Sequence, residues 1–338
     1  MARYLQSPIA EQPTTSRVGV LLVNLGSPAA PTPGAVRRFL AEMLSDPRLI
    51  ELPRALWLPI LHGVILRVRP RRSARLYRKI WMPEGSPLIV YARRLAQALQ
   101  PALANQVDGG VLIEVGMCYG DPAIAAALRS LQARGVQRII VLPLYPQYAG
   151  VTTGSVFDHV AAELGRWRIV PELRFINDYH DAPDYIAALK ASVLEHWQAH
   201  GRSQQLLMSF HSMPKRLFES GDPYYLRCQR TARLLAAALE LKEQEWSLSF
   251  QSRFGFEEWL QPYTSDVVRQ RARDGVRKLT VICPGFALDC LESLEEIAIT
   301  ARESFLENGG ELLDYIPALN ARADHVNLLA ALVRRNAN

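Results

Sequence analysis

Short apolar runs recur along the chain at 18–24, 110–115, 138–142, 205–210, 247–251 and 278–283. They are rich in Val, Ile and Leu, and several end in turn residues, as in Leu25-Gly26-Ser27-Pro28. Such runs read as buried strands. Between them lie segments with apolar residues at helical spacing: 122–134, 156–164, 182–200, 225–241, 265–273 and 290–308. Strands that alternate with helices and are apolar on both faces predict parallel sheets in an α/β fold. The strands fall into two groups, before about residue 165 and after about residue 175, so the pattern predicts two doubly wound lobes. Open parallel sheets take their ligands outside the carboxyl ends of the strands, here in a cleft between the lobes. The segments to watch are therefore 24–28, 143–155, 211–214, 252–256 and 284–292.

Composition changes this picture little. A chain of 338 residues suits two domains, and 49% apolar residues is ordinary for a globular protein. The net charge of +6, from 39 basic and 33 acidic side chains, comes with no nucleic-acid-binding signature. Charge is uneven, however: residues 67–79 hold seven basic residues and no acidic one. The apolar stretch before them, 55–66, is too short to span a bilayer. The N-terminus shows no apolar signal core, so the protein is expected to stay in the cytoplasm, where it is made. Cysteines 118, 228, 283 and 290 form no C-x-x-C pair and no zinc or iron–sulfur spacing. They read as reduced thiols and, Cys290 aside, as small buried residues. Dinucleotide, P-loop, HExxH and GxSxG motifs are absent.

Chemistry concentrates in three places. His211 ends an apolar run, and imidazole can take a proton near neutral pH or ligate a borderline metal. Asp289, Glu292 and Glu296 follow the turn Pro284-Gly285 at i, i+3, i+7, one stripe of a helix. Glu295 lies beside the stripe, and Leu291, Leu294, Ile297 and Ala298 form the opposite apolar face. On its own the stripe reads as a solvated acidic face at a helix start. The loop 143–155, PLYPQYAGVTTGS, offers hydroxyls and aromatic faces suited to a flat or anionic ligand, or to a plain turn. His196 and His200, at i, i+4, lack an evident third ligand and read as a surface pair.

These segments in order resemble the ferrochelatase family, from about residue 18 to about residue 333. The likeness rests on GVLLVNLGSP at 19–28, FLAEMLSDPRLIEL at 39–52, LYRKIWMPEGSPL at 76–88 and LPLYPQYAGVTTGS at 142–155. It continues in SFHSMP at 209–214, GDPY at 221–224, QSRFG at 251–255 with Trp259, and PGF at 284–286 followed by DCLESLEE at 289–296. The resemblance implies a lyase-class chelatase that inserts Fe2+ into protoporphyrin IX, the last step of haem biosynthesis. It implies that His211 and Glu292 are catalytic and meet the metal, and that Asp289 and Glu296 continue a proton or metal path. Tyr145, Thr152, Thr153, Ser155 and Trp259 match porphyrin-binding positions. The implied architecture is two Rossmann-like lobes, 17–165 and 175–318, each with a four-stranded parallel sheet, a flexible arm over 1–16, and a helix over 319–338 that returns to the first lobe. No permanent cofactor is implied, Fe2+ being a substrate, and no iron–sulfur cluster is expected because no cysteine follows Cys290. Cys118 stands where the family has another side chain. Residues 55–79 join apolar anchors to cations, which suits a peripheral membrane contact, or a lid whose arginines dock on the porphyrin propionates. The rivals are a chelatase for another metal–tetrapyrrole pair, iron with coproporphyrin included, and a non-catalytic porphyrin carrier. Oligomeric state is open.

Overall fold

The computed structural model of the chain describes residues 4, 17–104, 106–107, 109–255 and 257–337. The arm expected over 1–16 lies, Tyr4 apart, outside the described residues. The chain divides into two compact units. The first holds residues up to Leu144, then Gly150–Asn177 and Val326–Asn338; the second holds Tyr145–Ala149 and Asp178–His325.

Each unit is built on a four-stranded parallel sheet, as the apolar runs predict. In the first, β1 (Arg17–Gly26) pairs with β2 (Val111–Tyr119) on one side and β3 (Val136–Pro143) on the other, and β4 (Glu172–Phe175) closes the edge beside β3. Helices cover both faces, so Val20, Leu21, Leu22 and Val23 are all fully buried and the strand shows no polar alternation. Gly26 ends β1 at φ +110, and a side chain there would meet the Tyr119 carbonyl oxygen at 1.8 Å. Only glycine fits.

The second unit repeats the plan with β5 (Gln205–His211), β6 (Trp246–Gln251), β7 (Lys278–Ile282) and β8 (Leu312–Ile316), in the order β6-β5-β7-β8. In both sheets the second strand is added to one side of the first and the third to the other. That reversal puts the switch point of the sheet at the carboxyl ends of β5 and β7, where such sheets take their ligands and where the chain continues into His211 and into Pro284–Glu292. The edge strands β4 and β8 are absent from the apolar runs of the sequence, because β4 leaves Glu172 and Arg174 exposed and β8 leaves Asp314 half-exposed at the sheet margin.

The helix expected over 290–308 departs from the α pattern. Glu292–Ala301 winds as a π-helix before an α-helical turn, Arg302–Glu307. Its inward face is Ser293, Ile297, Ala301 and Phe305, spaced by four, rather than the face of Leu291, Leu294, Ile297 and Ala298 expected from α periodicity. Of that expected set only Ile297 is fully buried. No helix among the described residues is long and apolar enough to cross a membrane.

His325 is fully buried, and its Nδ1 donates to the Asn320 carbonyl at 2.6 Å. Burial pulls its pKa down from 6.5 to about 4. The unfolded chain therefore binds more protons than the folded one between about pH 6.5 and 4, and folding stability contributed by neutral His325 is lost as pH falls through that window. The loss approaches an order of 3 kcal/mol at the acid end. Thermal melts of wild type and His325→Gln should therefore differ most at pH 7, with the wild type ahead, and converge toward pH 4; a gap that stays constant with pH would contradict this.

Candidate active site

The last residue of β5 is His211, half-buried beside the half-buried ring of Phe286, whose centroid is 6.5 Å away. The ring is held by its own neighbour: Nδ1 meets the Ser212 carbonyl oxygen. A carbonyl can only accept, so Nδ1 carries the proton and Nε2 keeps its lone pair. The next residues are stitched down by backbone bonds, Lys215 N–H to Glu258 O at 2.9 Å and Leu260 N–H to Met213 O at 2.9 Å. Trp259 is thereby fixed alongside, bridging to Pro214, with its ring 4.9 Å from that of Phe254. Its indole N–H is buried and meets no acceptor among the described residues.

Two carboxylates stand at the start of the π-helix. The buried Gln251 at the end of β6 takes the Ser209 hydroxyl on Oε1 at 2.6 Å and donates from Nε2 to the Glu292 backbone carbonyl at 2.8 Å. It ties β5, β6 and the helix start together. Ser252 follows at φ +67 and turns both its N–H (2.8 Å) and its hydroxyl onto the Glu296 carboxylate. Burial pushes the Glu296 pKa up and the charge of Glu292 adds to it, against the Ser252 hydrogen bonds and the pull of His211. Glu296 thus feels both other groups. An imidazole nitrogen with a free lone pair and two half-buried carboxylates share the carboxyl ends of β5, β6 and β7.

Comparison with known sequences bears on the family of the chain. A family profile described as Ferrochelatase matches residues 17–337. The chain is 53% identical over 323 residues to the Ferrochelatase of Nitrosococcus oceani, covering 96% of this chain and 88% of that one. It is 52% identical over 334 residues to the Ferrochelatase of Aromatoleum aromaticum, covering 99% and 92%. The chain belongs to the ferrochelatase family. Among solved structures, SirB from Bacillus subtilis with Fe3+ is similar in fold, with a TM-score of 0.57 at 12% identity over 95% of this chain and 96% of that one.

In this ferrochelatase the acidic row is shorter than the sequence suggests. Asp289 is only 1% exposed and precedes the helix. Four donors converge on its carboxylate: Tyr315 OH (2.6 Å), Ser293 Oγ (2.8 Å), Asn320 Nδ2 (2.8 Å) and the Ala318 N–H (3.3 Å). A carboxylate so enclosed and so fully bonded is held in one place, as an anchor is. Glu295 is also no surface residue: it is 4% exposed and accepts from Thr300 Oγ1 at 3.2 Å. The solvated acidic face fails for both.

The residues expected at the porphyrin divide between the units. Tyr145, half-buried, and Trp259 belong to the second. Thr152, Thr153 and Ser155 belong to the first, in and just after a π turn, Gly150–Gly154. Ser155 commits its hydroxyl to Asp46 (2.5 Å) and meets Tyr119 OH at 3.0 Å. Thr153 is fully buried, and its hydroxyl meets no hydrogen-bond partner among the described residues. Burial drives the Cys118 thiol far up, so it stays protonated, and the four cysteines are buried and free. The His196 and His200 rings lie 4.5 Å apart, with His196 Nε2 3.9 Å from Asp314. Gln251 and Ser252 were visible only as part of a motif, since neither the left-handed turn at Ser252 nor the reach of Gln251 to a backbone 41 residues away leaves a local pattern.

Because Glu295 sits inside and Glu292 at the margin, stability should separate them. Glu295→Ala is expected to cost about 2–4 kcal/mol, since it empties a buried polar site. Glu292→Gln should melt within a few degrees of wild type. Equal melting temperatures for the two variants in differential scanning calorimetry would contradict the placement.

Proposed function

We propose that this ferrochelatase inserts Fe2+ into protoporphyrin IX to form protohaem, with His211 and Glu292 meeting the metal and the pyrrole protons and Glu296 continuing the proton path. The observation that carries the reading is the placement of His211 at the end of β5 and of Glu292 and Glu296 on the helix after β7, at the carboxyl end of one parallel sheet in a member of this family.

Insertion must remove two N–H protons from the macrocycle and strip water from the ion, with no change in the iron's oxidation state. Nε2 of His211 has the lone pair to take a pyrrole proton, which is general base catalysis. Its Nδ1–H bond to the Ser212 carbonyl holds the ring in that tautomer and steadies the imidazolium that results. Glu292 can receive the proton or replace a water on Fe2+, for which nitrogen and oxygen ligands are both suited. Glu296, with a raised pKa, holds a proton more readily than an ordinary carboxylate, as a relay toward solvent requires. A porphyrin carrier would have no use for a raised-pKa carboxylate beside an imidazole. No resident iron–sulfur cluster belongs to this proposal, the four cysteines being buried and scattered.

A contact with a bilayer surface belongs to it as well. The helical segments Arg54–Ile60, Leu61–Ile65 and Leu66–Ile80 run on without a break. They bury Trp57, Leu61, Leu66, Pro70, Ala74 and Tyr77. At steps of four, Leu52 (46%), Leu56 (57%), Ile60 (39%), Val64 (60%) and Val68 (71%) remain exposed. Arg67, Arg71, Arg72 and Arg75 are exposed on the same segment. An apolar stripe beside cations suits an interface with anionic headgroups, where each cation adds about 1 kcal/mol.

Activity is read by mixing Fe2+ and protoporphyrin IX with the protein anaerobically and following the Soret and Q bands. Wild type should turn over, and the same preparation should contain no acid-labile sulfide. His211→Ala should stop metal insertion while the fold survives. Glu292→Gln should nearly abolish turnover, because the amide keeps the shape but cannot take up the proton. Glu296→Gln should slow it less. Near wild-type turnover in His211→Ala or Glu292→Gln would remove that residue from the mechanism, and full activity on coproporphyrin alone would replace the substrate.

Liposome co-sedimentation tests the membrane contact. Binding should need anionic lipid and weaken with salt. Undiminished binding after replacing Arg67, Arg69, Arg71 and Arg72 with Ser would sink the contact.

A further inference from the structure

The acidic helix is anchored from outside itself, by the turn that follows β8. Asn320 lies in that turn at φ +47, a left-handed conformation that Asn tolerates better than most residues. All four of its hydrogen-bonding groups are engaged. Its N–H donates to the Ala287 carbonyl at 3.0 Å, and its own carbonyl accepts from the buried His325 Nδ1 at 2.6 Å. Its side chain grips Asp289 twice: Oδ1 accepts from the Asp289 N–H at 2.9 Å, and Nδ2 donates to Oδ2 of the carboxylate at 2.8 Å.

Asp289 passes the constraint on. Its Oδ1 accepts from Ser293 Oγ at 2.8 Å, and the same hydroxyl accepts from the Cys290 N–H at 3.0 Å. The first turn of the helix is thus closed by Asp289 and Ser293, and Glu292 lies between them in sequence. Glu296 follows one turn later. His325, Asn320, Asp289 and Ser293 form one continuous chain of hydrogen bonds within the second unit, and it ends on the element that carries both reactive carboxylates.

We infer that Asn320 is a positioning residue for metal insertion, acting through Asp289 to fix where the π-helix begins and hence where Glu292 and Glu296 stand. Asn320 touches neither substrate nor reacting atom in this account. The inference rests on the functional reading above. It gives Asp289 a structural task and makes the turn after β8 part of the catalytic apparatus. His325 supports the same turn by holding the backbone of Asn320. A clamp of this kind matters because catalytic geometry tolerates little error: a displacement of about 1 Å can cost on the order of a hundredfold in rate.

The variant to make is Asn320→Gly. Glycine accepts the left-handed backbone, so the turn can persist while both side-chain bonds to Asp289 are lost. Its kcat should fall about tenfold to a hundredfold. The KM for porphyrin should stay within about twofold, because the clamp adds nothing to porphyrin binding. Asn320→Asp keeps the acceptor for the Asp289 N–H but sets two carboxylates against each other, and should be slower still. In combination with Glu296→Gln, the Asn320→Gly effect should be clearly less than multiplicative, since both act through the same helix face. Circular dichroism and the melting temperature identify which variants are folded. A folded Asn320→Gly protein with wild-type kcat would overturn the inference, and so would a loss fully multiplicative with Glu296→Gln. Should Glu292→Gln also keep full activity, the functional reading itself would have failed, which is a separate result from an inert Asn320.

Discussion

Burying a carboxylate is costly unless donors surround it, and the second unit is organised around one that has them. Asp289 draws its donors from β8 (Tyr315), from the turn beyond it (Ala318 and Asn320) and from the helix ahead of it (Ser293). Moving any one of these would strip a bond from a group with no access to water. The helix start, the edge strand and the following turn therefore share one geometry. Glu292 and Glu296 inherit that geometry, since they project from the helix whose first turn these hydrogen bonds close.

The count of donors separates anchors from reactive groups elsewhere in the chain too. Burial would raise the pKa of Asp46 in the first unit, yet hydrogen bonds from His159, Ser155, Tyr119 and the Arg48 N–H outweigh it and hold the carboxyl far below its usual range. Glu296 has donors from a single residue, Ser252, and for it burial prevails. Both are acidic side chains largely withdrawn from solvent. One is locked in its charged form, and the other holds a proton more readily than an ordinary carboxylate. The two carboxyls differ in that physical respect, and residue type alone does not separate them.

The sequence was most informative where burial is two-sided. The central strands β1, β5 and β7 are buried along most of their length, and the apolar runs of β5 and β7, with the turns after them, pointed to His211 and the Pro284–Glu292 segment. The edge strands β4 and β8 were not seen, since ELRF and LLDYI mix exposed and buried positions over too few residues to set a period. Asp289, Glu292 and Glu296 were grouped by assuming α spacing and a helix that begins near Asp289. The helix starts later, and the capping contacts that decide this come from residues 315, 318 and 320, beyond the range of any local pattern. Ser252 and Asn320 act through left-handed backbone conformations that nothing in their neighbouring residues announces.

The π winding explains why two acids remain in the row. In an α-helix a step of four residues overshoots a full turn by roughly 40°. The wider π turn removes much of that drift, so residues four apart stack nearly above one another. Ser293, Ile297, Ala301 and Phe305 do so on the inner face, three of them in the core packed beneath β7 and β8. Glu292 and Glu296 are the same step apart one residue earlier and so share the adjoining face. There Gln251 holds the backbone of the first and Ser252 the carboxylate of the second. π turns are rare because they hydrogen-bond less favourably than α turns, and one as long as Glu292–Ala301 persists only where the surroundings impose it. Here the anchor at Asp289 and the core contact of Phe305 fix its two ends. The winding between them keeps two half-buried carboxylates, Glu292 and Glu296, on one face of the helix, and on the proposed function that face is where protons from the macrocycle would be received.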